Sequence, residues 1–184
     1  MISVPEMIMI GGNSRNSGKT TLACNCITQL SIKQEVIGLK VTSIRPGEAD
    51  LHGNHNDNFT GEFSIFEELN QQSQKDTAKM LKAGASHVYY ICVEEKFTEK
   101  AILHFMSRYI NKQVIVCESR SLRRIIDPGL FLIMIRLPVA GKAKDLSAYL
   151  DKANKVFYFS EDLEEIEQFT GKLNFKNCKF AWNE

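Results

Sequence analysis

The stretch that most constrains this chain runs over residues 7–22 and reads MIMIGGNSRNSGKTTL. A short apolar run, Met7-Ile8-Met9-Ile10, leads into Gly11-Gly12 and a polar turn. Gly18-Lys19-Thr20-Thr21 follows, and an apolar helical pattern starts at Leu22. Strand, glycine-containing loop and helix in this order are what a phosphate-binding P-loop requires. The loop's backbone N–H groups converge on anionic oxygens. The helix that opens near Gly18 adds unsatisfied N–H groups and its positive dipole end.

The residues expected to hold a nucleoside triphosphate are Asn13, Ser14, Arg15, Asn16, Ser17 and Gly18 in the loop, with Lys19, Thr20 and Thr21 opening the helix. Lys19 supplies a point charge to the outer phosphates, and the Thr20 hydroxyl is placed to ligate a magnesium ion that bridges two of them. The full pattern G-x-x-x-x-G-K-[ST] would put glycine at position 13. This chain has Asn13 there, with Gly12 one residue early. Asn tolerates positive φ better than other side chains, so Asn13 is expected to make the turn in the left-handed region.

A length of 184 residues suits one domain over 1–184, and 43% hydrophobic with 24% charged residues is ordinary for a globular chain. A formal net charge of +1 gives no long-range attraction to nucleic acid or an anionic membrane, so neither is an expected partner. No apolar run approaches the roughly 20 residues that span a bilayer. The N-terminus lacks a basic region and carries Pro5 and Glu6, unlike a signal peptide, so the expected location is the cytoplasm. Five scattered cysteines argue against a disulfide framework. Cys24 and Cys26, at i and i+2 on a helix, face different sides and make poor joint ligands. Cys92 and Cys117 sit in apolar strand runs as core residues.

Apolar periodicity predicts a helix over 20–31, a strand over 36–42, a weak strand or hairpin arm over 63–66, and a helix over 71–83 closed by Gly84. Further strands are predicted over 87–94, 113–119, 130–137, 155–159 and 179–182. Helices are expected over 98–110, capped by Thr98, and over 161–169, with a loop and short helix before Asp151. Pro128-Gly129 reads as a turn. Alternating strands and helices with no dividing linker predict an α/β P-loop NTPase fold with a mostly parallel central sheet and helices on both faces.

Three places carry further chemistry. Val114 to Cys117 is an apolar strand that ends in Glu118, and P-loop proteins need an acidic group at the end of a core strand to order the magnesium shell. Lys19 and Glu118 are therefore the candidate catalytic pair, and Thr20 and Glu118 the candidate metal ligands. Arg120, Arg123 and Arg124 follow at once and read either as phosphate contacts or as a solvated basic turn. The loop over 44–58 holds Asp50, His52, His55 and Asp57 after a strand end, where α/β sheets bind ligands. Its spacing fits no specific metal pattern, so a solvated surface loop is the favoured reading.

The chain resembles the P-loop family of molybdopterin-guanine dinucleotide biosynthesis protein B. The resemblance rests on Gly18-Lys19-Thr20-Thr21-Leu22, Gly38-Leu39-Lys40, the Asp50/His52/His55 loop, Lys75-Asp76-Thr77 with Ala83-Gly84-Ala85, and the strand ending in Glu118. It covers roughly residues 7–137. The family's Glu-Gly-Phe-Lys is Glu118-Ser119-Arg120-Ser121 here. The resemblance implies binding of GTP with Mg2+, weak hydrolysis, a homodimer and an accessory role beside a cofactor-biosynthesis enzyme. No Asn/Thr-Lys-x-Asp guanine motif is present, and Ser160-Glu161-Asp162 stands either near a base or as a helix cap. A small-molecule kinase and a non-catalytic nucleotide-dependent adaptor are the alternatives on the same scaffold.

Overall fold

The computed structural model describes residues 1–44, 62–139, 143–159 and 163–182. The loop over 45–58 and the Ser160-Glu161-Asp162 segment lie outside the described residues. Among the described residues nine strands and five α-helices follow in the order β1 Ile2–Gly12, α1 Lys19–Leu30, β2 Val36–Ile44, β3 Phe63–Glu67, α2 Asp76–Lys82, β4 His87–Glu94, α3 Thr98–Tyr109 and β5 Val114–Glu118, and then β6 Ile126–Ile135, α4 Ser147–Leu150, β7 Lys155–Tyr158, α5 Glu164–Lys172, β8 Asn174–Lys176 and β9 Lys179–Ala181. Seven strands form one sheet in the order β3-β4-β2-β5-β1-β6-β7. All neighbours are parallel except β3, an antiparallel edge on β4.

The apolar strand runs are buried on both faces because helices cover both. On one face Met7, Met9, Leu39, Ile91 and Ile115 pack with Ala101, Ile102 and Phe105 of α3. On the other, Ile8, Ile10, Val116 and Leu132 pack with Leu22, Cys26 and Ile27 of α1 and with Ile166 and Phe169 of α5. Adjacent strand residues thus belong to opposite layers, as a period of two demands.

Several elements differ from the sequence expectations. β1 begins at Ile2 rather than at 7, and its register with β6 shifts between Val4 and Ile8. Pro5, in that bulge, has no N–H to donate, which suits an irregular stretch of ladder. Pro128-Gly129 lies inside β6 opposite this bulge instead of making a turn. Gly129 is needed there, because a Cβ would sit 1.9 Å from the Pro5 carbonyl oxygen.

α2 starts at Asp76, not at 71. Side chains in the preceding segment bond locally instead, with Glu68 accepting the Asn70 N–H and Asn70 accepting the Gln72 N–H. Thr98 lies within the helix rather than capping it, and its hydroxyl donates to the Glu95 carbonyl. β9 pairs with β8 in a separate two-stranded ribbon. Cys26, Cys92 and Cys117 are buried and Cys178 is exposed, all as free thiols. Burial raises the Cys24 thiol pKa to about 11, helped by the negative charge of Glu118. Among the described residues, no helix is long and apolar enough to cross a membrane.

Candidate phosphate-binding site

The loop between β1 and α1 emerges at the carboxyl end of the sheet. Gly12 is held tightly, since a Cβ would lie 2.6 Å from Ser17 Oγ and 2.9 Å from the Met134 carbonyl oxygen. The left-handed positions are Asn16 (φ 56°) and Gly18 (φ 87°), not Asn13. The expectation that Asn13 makes the turn is therefore corrected. At Gly18 a side chain would also strike Phe159 and Met134.

Asn13 does something a glycine cannot. Its Nδ2 donates to the Arg136 carbonyl, and its Oδ1 accepts the Arg136 N–H, both at 3.0 Å. The Arg136 guanidinium returns to donate to the Asn16 carbonyl at 2.8 Å and lies over the Phe159 ring. The Asn13 carbonyl accepts the Lys144 N–H at 2.7 Å. The loop is thus fastened to the end of β6 and to the segment before α4.

Ser14 and Ser17 are buried, while Arg15 and Asn16 are exposed at the loop's tip. Lys19 folds over the loop and donates to the Ser14 carbonyl at 2.6 Å and to Ser17 Oγ at 3.1 Å. Desolvation lowers its pKa below the usual lysine value. The Glu118 carboxylate opposes that shift, and the charges of Lys144 and Lys40 add to it. Gly18 precedes α1 without any side-chain cap, so the first-turn N–H groups of a twelve-residue helix face the loop. Thr21 follows Thr20 in that turn, half-buried.

Glu118 is 7% exposed, and its Oε2 accepts the Thr20 hydroxyl at 2.8 Å. Lys40 of β2 stands in register with Glu118 of β5, and its ammonium lies 3.7 Å from Glu118 Oε1. The same ammonium donates to Asp76 at the start of α2. Burial pushes the Asp76 carboxyl pKa up. The hydrogen bond and charge of Lys40 outweigh this, with help from the Lys79 charge and the Thr20 hydroxyl, and hold it below the usual value. Thr20, Glu118 and Asp76 thus gather one hydroxyl and two carboxylates, the hard oxygen donors that Mg2+ prefers, and would hold that ion beside the loop. The donor set fits the ion. Among the described residues no group of three or more His, Cys, Asp and Glu is placed to hold a metal by itself.

Lys40 and Asp76 are not among the site residues expected from the sequence, where they appear only in the segments that carry the resemblance. The available signal was a lysine inside an otherwise apolar strand, Gly38-Leu39-Lys40-Val41, which must find a partner when the strand is buried. Of the three arginines, Arg123 is removed from the site. It is buried, bonded to the Ile126 carbonyl and to Asp127, and stacked over Phe131. Arg120 and Arg124 line the crevice together with Lys144 and Tyr149. Among the described residues, nine lysines and arginines against three carboxylates line that crevice, in a chain whose net charge is +1.

No family model matches the chain, and no curated protein matches it. A solved structure does: the "apo" form of LpxK from Aquifex aeolicus in complex with ATP, at 18% identity and a TM-score of 0.53. The alignment covers 95% of this chain and 55% of that one, so the chain spans about half the length of LpxK. The chain has the P-loop NTPase fold. At that identity the likeness carries the fold alone.

Proposed function

We propose that this protein binds a magnesium–nucleoside triphosphate and transfers the γ-phosphoryl group to a small acceptor, with water as a slow substitute. The observation that carries the reading is the meeting of Thr20, Glu118, Lys40 and Asp76 beside Lys19 and the first turn of α1. These groups come from four different elements and serve no common core-packing need. Mg2+ at Thr20, Glu118 and Asp76 would neutralise charge on the β- and γ-phosphate oxygens. Lys19 and the loop amides hold those oxygens and position the γ-phosphorus. An acceptor hydroxyl oxygen bonds to the γ-phosphorus. The bond from that phosphorus to the β–γ bridging oxygen breaks, the diphosphate leaves with its bridging oxygen, and the hydroxyl proton passes to solvent.

A second reading is the accessory GTPase role implied by the family resemblance. It is favoured by the spatial meeting of Lys40, Asp76 and Glu118, which belong to three separate segments that carry the resemblance. In that reading the protein acts as a homodimer beside a cofactor-biosynthesis enzyme. Calorimetry with ATP and GTP, with and without Mg2+, tests both readings together. Binding of a triphosphate that requires Mg2+ and is lost in Lys19→Ala is expected, and unchanged affinity in Lys19→Ala would overturn the phosphate site. Sensitivity to the base separates the readings, because only the accessory role requires a preference for GTP.

A further inference from the structure

Beyond the loop, the crevice opens into a second cavity of about 600 Å³ that shares Arg120, Arg124, Lys144 and Tyr149 with it. The charges there are unbalanced. Arg120 spends one N–H on the Asp145 carbonyl oxygen at 2.6 Å and lies over the Tyr149 ring. The Asp145 carboxylate is taken up by the Ser147 N–H and hydroxyl. Arg124 donates to the Tyr149 hydroxyl at 3.0 Å and pairs with Glu95. That pair is more than half exposed, so solvent and salt screen it. Lys144 is exposed at the rim, yet desolvation lowers its pKa and the charges of Arg120 and Arg15 add to the shift. Among the described residues, no carboxylate lies within ion-pair distance of Arg15, Arg120 or Lys144.

Like charges held together cost free energy, and among the described residues only Glu95, paired with Arg124, and the exposed Asp145 carboxylate, which interacts with the Arg120 charge, oppose them. Tyr149 engages both guanidiniums, Arg120 over its ring and Arg124 at its hydroxyl, which limits their freedom. A magnesium–triphosphate carries a net charge of about −2 and leaves most of the crevice's positive excess unmatched. We infer that Arg120, Arg124 and Lys144 form a second anion subsite, which takes the phosphate group of a phosphorylated acceptor. Two guanidinium forks and a point charge are the donors that suit a phosphate's tetrahedral oxygens. The role as acceptor site rests on the phosphoryl-transfer reading, whereas the anion binding does not.

The two are tested separately by calorimetric titration of glycerol 3-phosphate and of inorganic phosphate. Each is titrated into wild type saturated with a non-hydrolysable magnesium–triphosphate analogue, and into Lys19→Ala without nucleotide. Binding of at least one probe is expected in both backgrounds, weakened at least about tenfold by Arg120→Ala and by Lys144→Ala, the order expected for loss of a charge-assisted contact. Removing the same charge from the exposed Lys33, by Lys33→Ala, is expected to change nothing. Tighter binding of glycerol 3-phosphate than of inorganic phosphate supports a phosphorylated acceptor, and the reverse order overturns that part. No probe binding in either background, or equal loss in Lys33→Ala, overturns the subsite. If Arg120→Ala weakens the analogue as much as the probes, the cations serve the nucleotide and the subsite falls. Failure of the analogue to bind wild type strikes the proposed function alone, because the Lys19→Ala titration still reads the subsite. Unchanged thermal unfolding of the variants excludes misfolding as the cause.

Discussion

Restoring the glycine that the P-loop pattern asks for should damage this protein. In Asn13→Gly two side-chain hydrogen bonds to the backbone of Arg136 disappear, both at 3.0 Å. Each is worth about 0.5–1.5 kcal/mol net. Asn13 has no positive φ, so glycine brings no conformational relief there and costs about 0.5–1 kcal/mol in added unfolded-state freedom. Together these give about 1.5–4 kcal/mol. Arg136 is only half-buried, and water recovers part of its lost bonding, so the lower end, about 1.5 kcal/mol, is the expected loss. Urea unfolding followed by circular dichroism reads this as a lower midpoint at unchanged slope. Asn13→Ala, which deletes the same bonds without the glycine term, should fall between wild type and Asn13→Gly. The loop is also released from β6, so affinity for a magnesium–triphosphate analogue should drop about tenfold in both variants. A glycine variant as stable as wild type, or more stable, would refute the clamp and restore the glycine pattern as the better guide.

Removing the cation between the two carboxylates, in Lys40→Met, should raise the pKa of Asp76. A depressed carboxyl pKa adds stability that is complete above the unfolded value of about 3.9 and is lost as pH falls through the folded value. The variant should therefore lose about 1 kcal/mol at pH 7, a figure discounted for partial exposure, and the gap should close in acid. A carboxyl NMR titration that finds Asp76 unmoved would sink this. Gly129→Ala would drive a methyl group into the Pro5 carbonyl at 1.9 Å, so the β1–β6 bulge must open at a cost of about 3 kcal/mol or more. A melting temperature within a degree or two of wild type would show that the bulge yields freely.

Much of the fold was legible in the residues because the central strands are short apolar runs between helical periodicities. The expectations at 36–42, 87–94 and 113–119 match β2, β4 and β5 to within a residue or two. The departures have local causes. The apolar run that marks the first strand in the sequence is Met7 to Ile10, but the strand extends back to Ile2 and pairs with β6 across the bulge that holds Pro5. Pro128-Gly129 has the composition of a turn but is held in the sheet because only glycine fits against Pro5. In the β1–α1 loop the pattern marks the candidate site but misplaces the turn. Gly12 takes the close approach, Asn16 and Gly18 take the left-handed backbone, and Asn13 is left to tie the loop down.

The part that no linear reading reaches is the pairing of Lys40 with Glu118. It arises from strand order. β5 enters the sheet between β1 and β2, so residues 78 positions apart become direct neighbours. The register then does the rest: Lys40 pairs with Glu118, Glu118 with Ile10, and Ile10 with Leu132 in one row across four strands. Gly11, Gly12 and the loop follow Ile10 directly, so the row of charges ends level with the start of the phosphate loop. Shifting β5 by one residue would turn Glu118 to the opposite face of the sheet, away from Thr20, and leave a buried carboxylate without partners. The apolar fit of Ile115 and Cys117 on one face and Val114 and Val116 on the other opposes such a shift. The same alternation that builds two hydrophobic layers thus fixes which acid meets the Thr20 hydroxyl, and core packing and site geometry are set by one register.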